Sequence, residues 1–179
     1  MDDEFFDECM MMMLAHEGMD LEKGKTGFVQ DRHDNDGGAT NYGITMFTYA
    51  DYMQKKVTVE DMKNMPFEHV KEIYKERYWD KGRCSEMPHK GLAYMVFDAY
   101  VNMGNRSAKI LQSIVGAGQD GAIGPKTMHL VKGQNSKYMM DQFYERRQAF
   151  YERLNKPRYI KGWTRRNDEV YEKAKKMGS

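Results

Sequence analysis

The chain has 179 residues, of which 31% are charged and 40% are apolar, and it carries 12 Tyr, 8 Phe and 2 Trp. This length and aromatic content suit one compact domain, or a domain with a small appendage, and exclude a disordered or collagen-like protein. The net charge of +1 hides an asymmetry, because residues 137–179 hold 12 Lys and Arg against 6 Asp and Glu, whereas residues 1–136 hold 16 against 21. We expect the basic C-terminal end to face an anionic partner, with a solvated helix face as the alternative.

Several further classes of protein are excluded by local patterns. No segment reaches the roughly 18 consecutive apolar residues of a membrane span, so we expect no stable membrane insertion. The acidic start, Asp2-Asp3-Glu4, argues against a signal peptide. Cys9 and Cys84 show neither a pairing nor a metal pattern and are expected to be reduced thiols, with a single disulfide as the alternative. The five His lack spaced Cys partners, so we expect no metal and no cofactor.

The N-terminal part combines one amphipathic helix with a glycine-rich region. Apolar residues recur at i, i+3 and i+4 from Phe5 to Leu14 and predict a helix over residues 4–17 that Gly18 ends. Residues 18–45 contain six Gly, which interrupt any helical period, and the runs at 28–29 and 42–45 are typical of short strands. We therefore expect a small β-hairpin lobe near residues 26–45.

Helical patterns continue from residue 47 nearly to the C terminus. Thr58 and Asp61 have the spacing of a capping box. The apolar periodicity predicts helices over residues 47–55, 66–79, 88–103, 107–115, 125–131, 136–154 and 164–176. The fold class is therefore predicted to be mainly α, a helical bundle with the small hairpin lobe.

Carboxylates and amides are the chemistry-bearing groups of this sequence, since it shows no metal, nucleophile or phosphate-loop motif. Cleavage of a glycosidic bond needs a protonated carboxylic acid beside the leaving oxygen, a state that an apolar setting favours in Glu. Glu17 fits this role because it ends an apolar helix and precedes the glycine-rich region. An exposed charge is the more common role of a Glu in such a position.

A second carboxylate is available from the loop that contains Asp31, Asp34 and Asp36. It would act as a base that activates water from the other side of the sugar. A turn is the alternative, whereas a calcium loop is disfavoured because no Glu closes it. Thr40 and Asn41 follow this loop, and their hydroxyl and amide groups suit a bound water or sugar, although turn and capping roles are common.

Sugar binding also needs aromatic platforms and amides near the acid. Tyr42, Tyr78, Trp79 and Asn102 are the candidates besides Asn41, although an aromatic residue at helical spacing more often packs in a core. Asp98 lies in an apolar helix and must find a partner if it is buried, so we interpret it as structural.

Four stretches of the sequence resemble the motifs of one known family. They are Glu17-Gly18, residues 37–45 (GGATNYGIT), residues 73–80 (IYKERYWD) and residues 93–102 (AYMVFDAYVN). These motifs resemble those of the glycoside hydrolase family 108 N-acetylmuramidases, which are typical of phage endolysins and related bacterial secretion lysozymes. Residues 120–127 (DGAIGPKT) and 162–166 (GWTRR) resemble that family's C-terminal predicted peptidoglycan-binding region. The resemblance covers almost the whole chain.

The resemblance implies a lysozyme-like fold with a catalytic region at residues 1–103 and a helical peptidoglycan-binding-like region at 104–179, packed as one compact unit. It implies hydrolysis of the β-1,4 bond between N-acetylmuramic acid and N-acetylglucosamine, and it assigns the general acid to Glu17. The chain departs from the family pattern by extra residues after Gly18 and by a longer Asp loop, so the family's aspartate maps to Asp34 or Asp36. Asp34 is favoured, with Thr40 positioning the water, because their spacing is similar to that in T4-type phage lysozymes.

Two alternatives stay open at this point. One is a lytic transglycosylase, which cleaves the same bond with one Glu and no water; the other is a non-catalytic peptidoglycan-binding or virion structural protein. Nucleic-acid binding by the basic end is weaker, because that end lacks a recognition motif, and we expect no nucleic-acid partner. As an endolysin, the chain is expected to be a monomer that resides in the host bacterial cytoplasm before release and acts on peptidoglycan in the periplasmic cell wall.

Overall fold

A computed structural model describes residues 1–30 and 38–178, which are mostly helical. The strands are β1 (Val29–Gln30), β2 (Ala39–Asn41) and β3 (Ile44–Thr45). The helices are α1 (Asp3–His16), α2 (Met46–Met53), α3 (Val59–Lys63), α4 (Phe67–Tyr74), α5 (Lys90–Met103), α6 (Arg106–Val115), α7 (Pro125–Lys132), α8 (Ser136–Arg153) and α9 (Pro157–Lys175). The predicted mainly helical fold with a small antiparallel sheet in the 26–45 region is confirmed.

The chain divides into two compact units, one formed by Met1–Cys9 and Glu76–Ser179 and the other by Met10–Lys75. The first carries α5 to α9, and the second carries the sheet and α2 to α4. The sequence predicts a different kind of division, between a catalytic region at residues 1–103 and a peptidoglycan-binding-like region at 104–179. This functional division stays a prediction.

The unit of residues 10–75 is built around the antiparallel sheet, in the order β1-β2-β3. Thr40 pairs with Val29 on one side and with Thr45 on the other. The turn between β2 and β3 consists of Tyr42 and Gly43, whose φ angles of +51° and +72° are both positive, as a type I′ turn requires. Gly43 is also needed for space, because a Cβ there would lie 2.8 Å from the hydroxyl of a neighbouring tyrosine.

In the unit that contains residues 76–179, α5 lies at the centre of the core. Its residues from Gly91 to Tyr100 are all buried, and it packs against α6, α8 and α9. Gly91 permits the close approach of α9, since a Cβ there would lie 2.3 Å from the Ala174 carbonyl oxygen. Trp79 packs edge-to-face with Phe5, Phe6 and Phe97 at centroid distances of 5.3 to 6.0 Å, and Phe6 packs in the same way against Phe97 at 5.9 Å.

The largest difference from the predicted helices is at α9, which begins at Pro157 and not at residue 164. Pro157 occupies the first turn, where a proline suits a helix because no amide partner is needed. Gly162 does not interrupt the helix and lies in open space. A second difference is a π-helical turn, Lys75–Trp79, at the end of the predicted helix 66–79. The capping box of Thr58 and Asp61 is confirmed.

Both cysteines have the state that the sequence predicts. Cys9 and Cys84 are buried and unbridged. Burial raises the pKa of each thiol above its ordinary value, and the carboxylates of Glu8 and Asp80 raise those of Cys9 and Cys84, respectively, further. Both side chains are therefore neutral core residues at physiological pH.

Candidate functional site

Glu17 lies immediately after α1, where the chain leaves the helix. The Gly18 N–H donates to the Ala15 carbonyl at 3.0 Å, and the Met19 N–H donates to the Leu14 carbonyl at 3.1 Å. These two bonds form a Schellman motif, which needs the left-handed backbone that Gly18 adopts with φ +84°. Met19 is buried and anchors the turn. The backbone at Glu17 is thus held in one geometry.

The side chain of Glu17 is exposed, which differs from the apolar setting that we expected around it. Six apolar residues of α1 are buried, namely Phe5, Phe6, Cys9, Met10, Met13 and Leu14. Glu17 follows the last of them, so the helix orders its backbone without enclosing its carboxyl group. The role of Glu17 as the general acid stays a prediction.

A groove of about 490 Å³ lies along the sheet of the same unit. It is lined by Val29, Gly38, Ala39, Thr40, Thr45, Met46 and Phe47. Thr40 is half-buried at the centre of β2, so the strand pairing fixes the position of its backbone. The predicted residues Asp31, Asp34 and Asp36 lie outside the described residues, and their role stays a prediction.

Phe47 is a groove residue that the sequence analysis did not identify. Its side chain is 86% exposed, at the start of the helix that the sequence predicts over residues 47–55. The buried residue of α2 is Tyr49, two positions later, and residues two apart face opposite sides of a helix. The helical phase of Tyr49 is therefore the signal that would have identified Phe47 as a surface aromatic residue.

Asn41 has a structural role that accounts for its place in the GGATNYGIT motif. It is 2% exposed, and its Oδ1 accepts from the Thr26 hydroxyl at 2.6 Å and from the Tyr42 N–H at 3.1 Å. Its Nδ2 donates to the Met62 carbonyl at 2.8 Å. The amide thus joins β2 to α3 and to residue 26 and does not point into solvent, where a sugar would meet it.

We expect Asn41→Ala to lower the free energy of unfolding by about 1–3 kcal/mol, because it leaves buried donors and acceptors without partners. Thermal denaturation of the purified variant measures this loss, with the exposed Asn64→Ala as the matched control. The structural role is contradicted if Asn41→Ala melts with the parent and only weakens substrate binding.

Tyr42 presents part of its ring at the hairpin while its backbone is fixed on both sides. Its N–H donates to the Thr26 carbonyl at 2.9 Å, and its carbonyl accepts from the Tyr74 hydroxyl at 2.7 Å. The ring is half-buried and inclined against Phe67, with centroids 5.9 Å apart. This arrangement leaves Tyr42 available as a partly exposed aromatic contact.

The other predicted binding residues belong to the unit that contains residues 76–179. Tyr78 is half-buried in the π-helical turn. Asn102 is half-buried, and its Oδ1 accepts a hydrogen bond from the Tyr151 hydroxyl. Trp79 is only 1% exposed and lies in the aromatic cluster with Phe97, so both faces of its ring are covered. The structure therefore places Trp79 in the core and not on a sugar-binding surface.

Asp98 forms a buried ion cluster with two arginines. Its carboxylate accepts from Arg147 at 2.8 Å and from Arg166 twice, at 3.0 Å each. Burial opposes the charge of Asp98, but the two guanidinium groups outweigh it and hold the pKa of Asp98 below its ordinary value. This joins α5 to α8 and α9 and confirms the structural interpretation of Asp98.

The ion cluster also corrects the role expected of the GWTRR motif. Arg166 is 8% exposed and is paired with Asp98, so it does not face an anionic partner. Arg147 is fully buried. Two of the cations that make residues 137–179 basic are thus partly neutralised inside the protein.

Comparison with known proteins identifies the family. Residues 10–104 match the family described as glycosyl hydrolase 108, and residues 106–168 match the predicted peptidoglycan domain. The chain belongs to the glycosyl hydrolase 108 family. The solved structure of SagA from Brucella abortus is similar over 98% of this chain and 97% of that chain, with a TM-score of 0.78 and 29% sequence identity. No curated protein is significantly similar.

The match confirms the predicted family and the lysozyme-like, mainly helical fold class. This family 108 protein is a glycoside hydrolase, and its second matched region indicates peptidoglycan as the partner. Within residues 1–30 and 38–178, no three or more His, Cys, Asp or Glu side chains form a group that could hold a metal ion. Over the same ranges, no helix is both long and apolar enough to cross a membrane.

Proposed function

We propose that this family 108 hydrolase cleaves the β-1,4 bond between N-acetylmuramic acid and N-acetylglucosamine in bacterial peptidoglycan. The observation that carries the proposal is the exposed Glu17 carboxyl group on a backbone fixed by the Schellman motif of α1. The family match over residues 10–104 and the peptidoglycan domain at 106–168 support this class of substrate.

In the proposed reaction, Glu17 is the general acid that protonates the glycosidic oxygen as the bond breaks. Asp34 acts as the base that activates water, or stabilises the oxocarbenium-like transition state, and Thr40 positions the attacking water. Asp31 and Asp36 are the alternatives to Asp34. The water oxygen bonds to the anomeric carbon as the glycosidic C–O bond breaks, one water proton passes to the base, and the leaving oxygen takes the proton of Glu17. The proposed reaction balances with these groups and uses no metal or organic cofactor.

Tyr78 and Asn102, which lie in the unit that contains residues 76–179, stay predicted binding residues. Within the unit of residues 10–75, substrate binding is proposed to use the groove beside the sheet together with Tyr42. Phe47 joins this set, because its exposed ring lines the same groove as Thr40. Aromatic rings bind the apolar faces of sugars by stacking and exclude water from them. Asn41 and Trp79, which the sequence also suggested, contribute by shaping the fold.

We expect Phe47→Ala to raise KM for soluble glycan chains by about 3- to 10-fold and to leave kcat nearly unchanged, because it removes an apolar stacking contact and no group that transfers a proton or positions the water. Steady-state kinetics on chains of defined length measures both constants. Tyr138→Ala, which removes a ring that is 45% exposed on α8, is the matched control. An unchanged KM in Phe47→Ala would exclude this ring from the binding site.

The proposed function is tested with purified Gram-negative sacculi, which contain peptidoglycan and no other wall polymer. The parent protein is expected to reduce their turbidity and to release soluble disaccharide-peptides. Sacculi that bind the protein but release no sugar would instead support a non-catalytic peptidoglycan-binding or virion structural protein.

The biological setting is proposed from the family resemblance. We propose a monomeric phage endolysin that is made in the cytoplasm of the host bacterium and acts on the periplasmic wall during lysis. Addition to outer-membrane-permeabilised Gram-negative cells is expected to cause rapid lysis, whereas intact cells are expected to resist.

A further inference from the structure

A second groove, of about 190 Å³, lies between α6 and α8 in the region matched by the peptidoglycan domain. Its lining contains four cationic side chains and no carboxylate. The lining residues are Arg106, Lys109, Ile110, Ser113, Gln119, Arg146, Ala149 and Arg153. The sequence analysis placed the basic surface near the C terminus, whereas the structure concentrates these charges here.

The positive charge of this groove follows from the helical period. Arg106, Lys109 and Ser113 recur along one face of α6, and Arg146 and Arg153 recur along one face of α8. None of the four cations forms an ion pair with a carboxylate of the described residues. Like charges in one groove repel one another, so an anionic ligand would relieve a cost that the protein otherwise carries.

Two of the guanidinium groups are held in place by neighbouring side chains. Arg146 donates to the Ser113 hydroxyl at 3.0 Å and to Gln142 at 3.4 Å. The Arg106 guanidinium lies over the Phe150 ring, 5.1 Å from its centroid. Because these groups are ordered before a ligand arrives, less side-chain entropy is lost on binding.

We propose that this groove binds the carboxylates of the peptide part of peptidoglycan. Planar guanidinium groups suit carboxylates because two parallel hydrogen bonds form at once. Ile110 and Ala149 add an apolar surface for the aliphatic parts of a short peptide. The glycan strand itself carries neutral N-acetyl and hydroxyl groups, so the peptides supply the negative charge. The inference rests on the proposed function only in taking peptidoglycan as the polymer.

The test compares two double variants of the full chain with the same change in net charge. Lys109→Glu/Arg153→Glu alters the groove, and neither residue forms a hydrogen bond with another side chain of the described residues. Lys132→Glu/Lys161→Glu alters exposed cations outside it. Sedimentation with Gram-negative sacculi on ice is expected to show about 10-fold weaker binding for the groove variant. The control variant is expected to bind nearly as the parent does, because an isolated exposed charge contributes little to the free energy of binding.

Competition identifies the ligand. Peptides released from sacculi by an amidase are expected to displace the parent protein, whereas uncharged N-acetylglucosamine oligosaccharides and peptides with methyl-esterified carboxylates are not. Equal losses in the two double variants, or equal competition by esterified peptides, by inorganic phosphate at matched ionic strength or by duplex DNA, would overturn the proposal.

This outcome is distinguishable from failure of the proposed function. Release of soluble sugars is measured in parallel at a higher temperature. Groove-dependent binding without any release by the parent would refute the hydrolysis and support the binding site. If the parent releases sugars but the groove variant binds sacculi as tightly as the parent, the binding site is refuted and the proposed hydrolysis is not.

Discussion

Glu17→Gln is expected to reduce the rate of sacculus hydrolysis by at least about 100-fold, because the amide cannot donate the proton that the leaving oxygen needs. The change should leave the thermal stability nearly unaltered, since the Glu17 side chain is exposed and its backbone N–H donates to the Met13 carbonyl at 3.1 Å, a bond that the substitution does not touch. Loss of turbidity and released reducing sugar, followed over time, measure the effect.

The matched control is Glu22→Gln, which makes the same chemical change at an exposed carboxylate of the same unit. It is expected to hydrolyse sacculi at the rate of the parent. The assignment of the general acid fails if Glu17→Gln is as active as Glu22→Gln.

Asp98→Asn is expected to destabilise the protein by about 3–5 kcal/mol, because it leaves two buried guanidinium charges without their carboxylate. For a protein of this length, that loss corresponds to a decrease in Tm of roughly 6–20 °C. Differential scanning calorimetry measures the change. Glu172→Gln, which breaks the exposed pair with Lys175, is the control and should cost less than about 1 kcal/mol.

The same ion cluster sets a dependence of stability on pH. Because Arg147 and Arg166 hold the pKa of Asp98 below its ordinary value, the folded state binds fewer protons at this site than the unfolded state. The stabilisation is therefore complete above the ordinary Asp pKa of about 3.9 and is lost as the pH falls towards the lower folded value. Asp98→Asn should show a flatter decline over this range, and a decline identical to that of the parent would contradict the role of the cluster.

Local features of this fold are predictable from the sequence because they depend on neighbouring residues. The capping box of Thr58 and Asp61 joins two residues three positions apart. The strand predicted over residues 42–45 is wrong in its first half, because Tyr42 and Gly43 form the turn between β2 and β3. The predicted start of α9 at residue 164 is wrong, because the helix begins at Pro157 and continues through Gly162; an exposed helical glycine costs only about 1 kcal/mol.

Long-range features are not predictable in this way. Asp98 is separated from Arg147 by 49 residues and from Arg166 by 68, so no periodicity indicates that they meet. The GWTRR motif lies in the region matched by the predicted peptidoglycan domain, but Arg166 is buried and pairs with Asp98 in the core. The basic groove likewise needs α6 and α8 to pack together before their charged faces form one surface.

The most direct measurement for the proposed activity is the mass of the disaccharide-peptides that the parent protein releases from purified sacculi. Hydrolysis by water at the muramic acid bond predicts products that end in a reducing N-acetylmuramic acid, each heavier by one water than its anhydro counterpart. Anhydro products would show a lytic transglycosylase, and products that end in reducing N-acetylglucosamine would show cleavage of the other glycosidic bond. Either result would contradict the proposed muramidase.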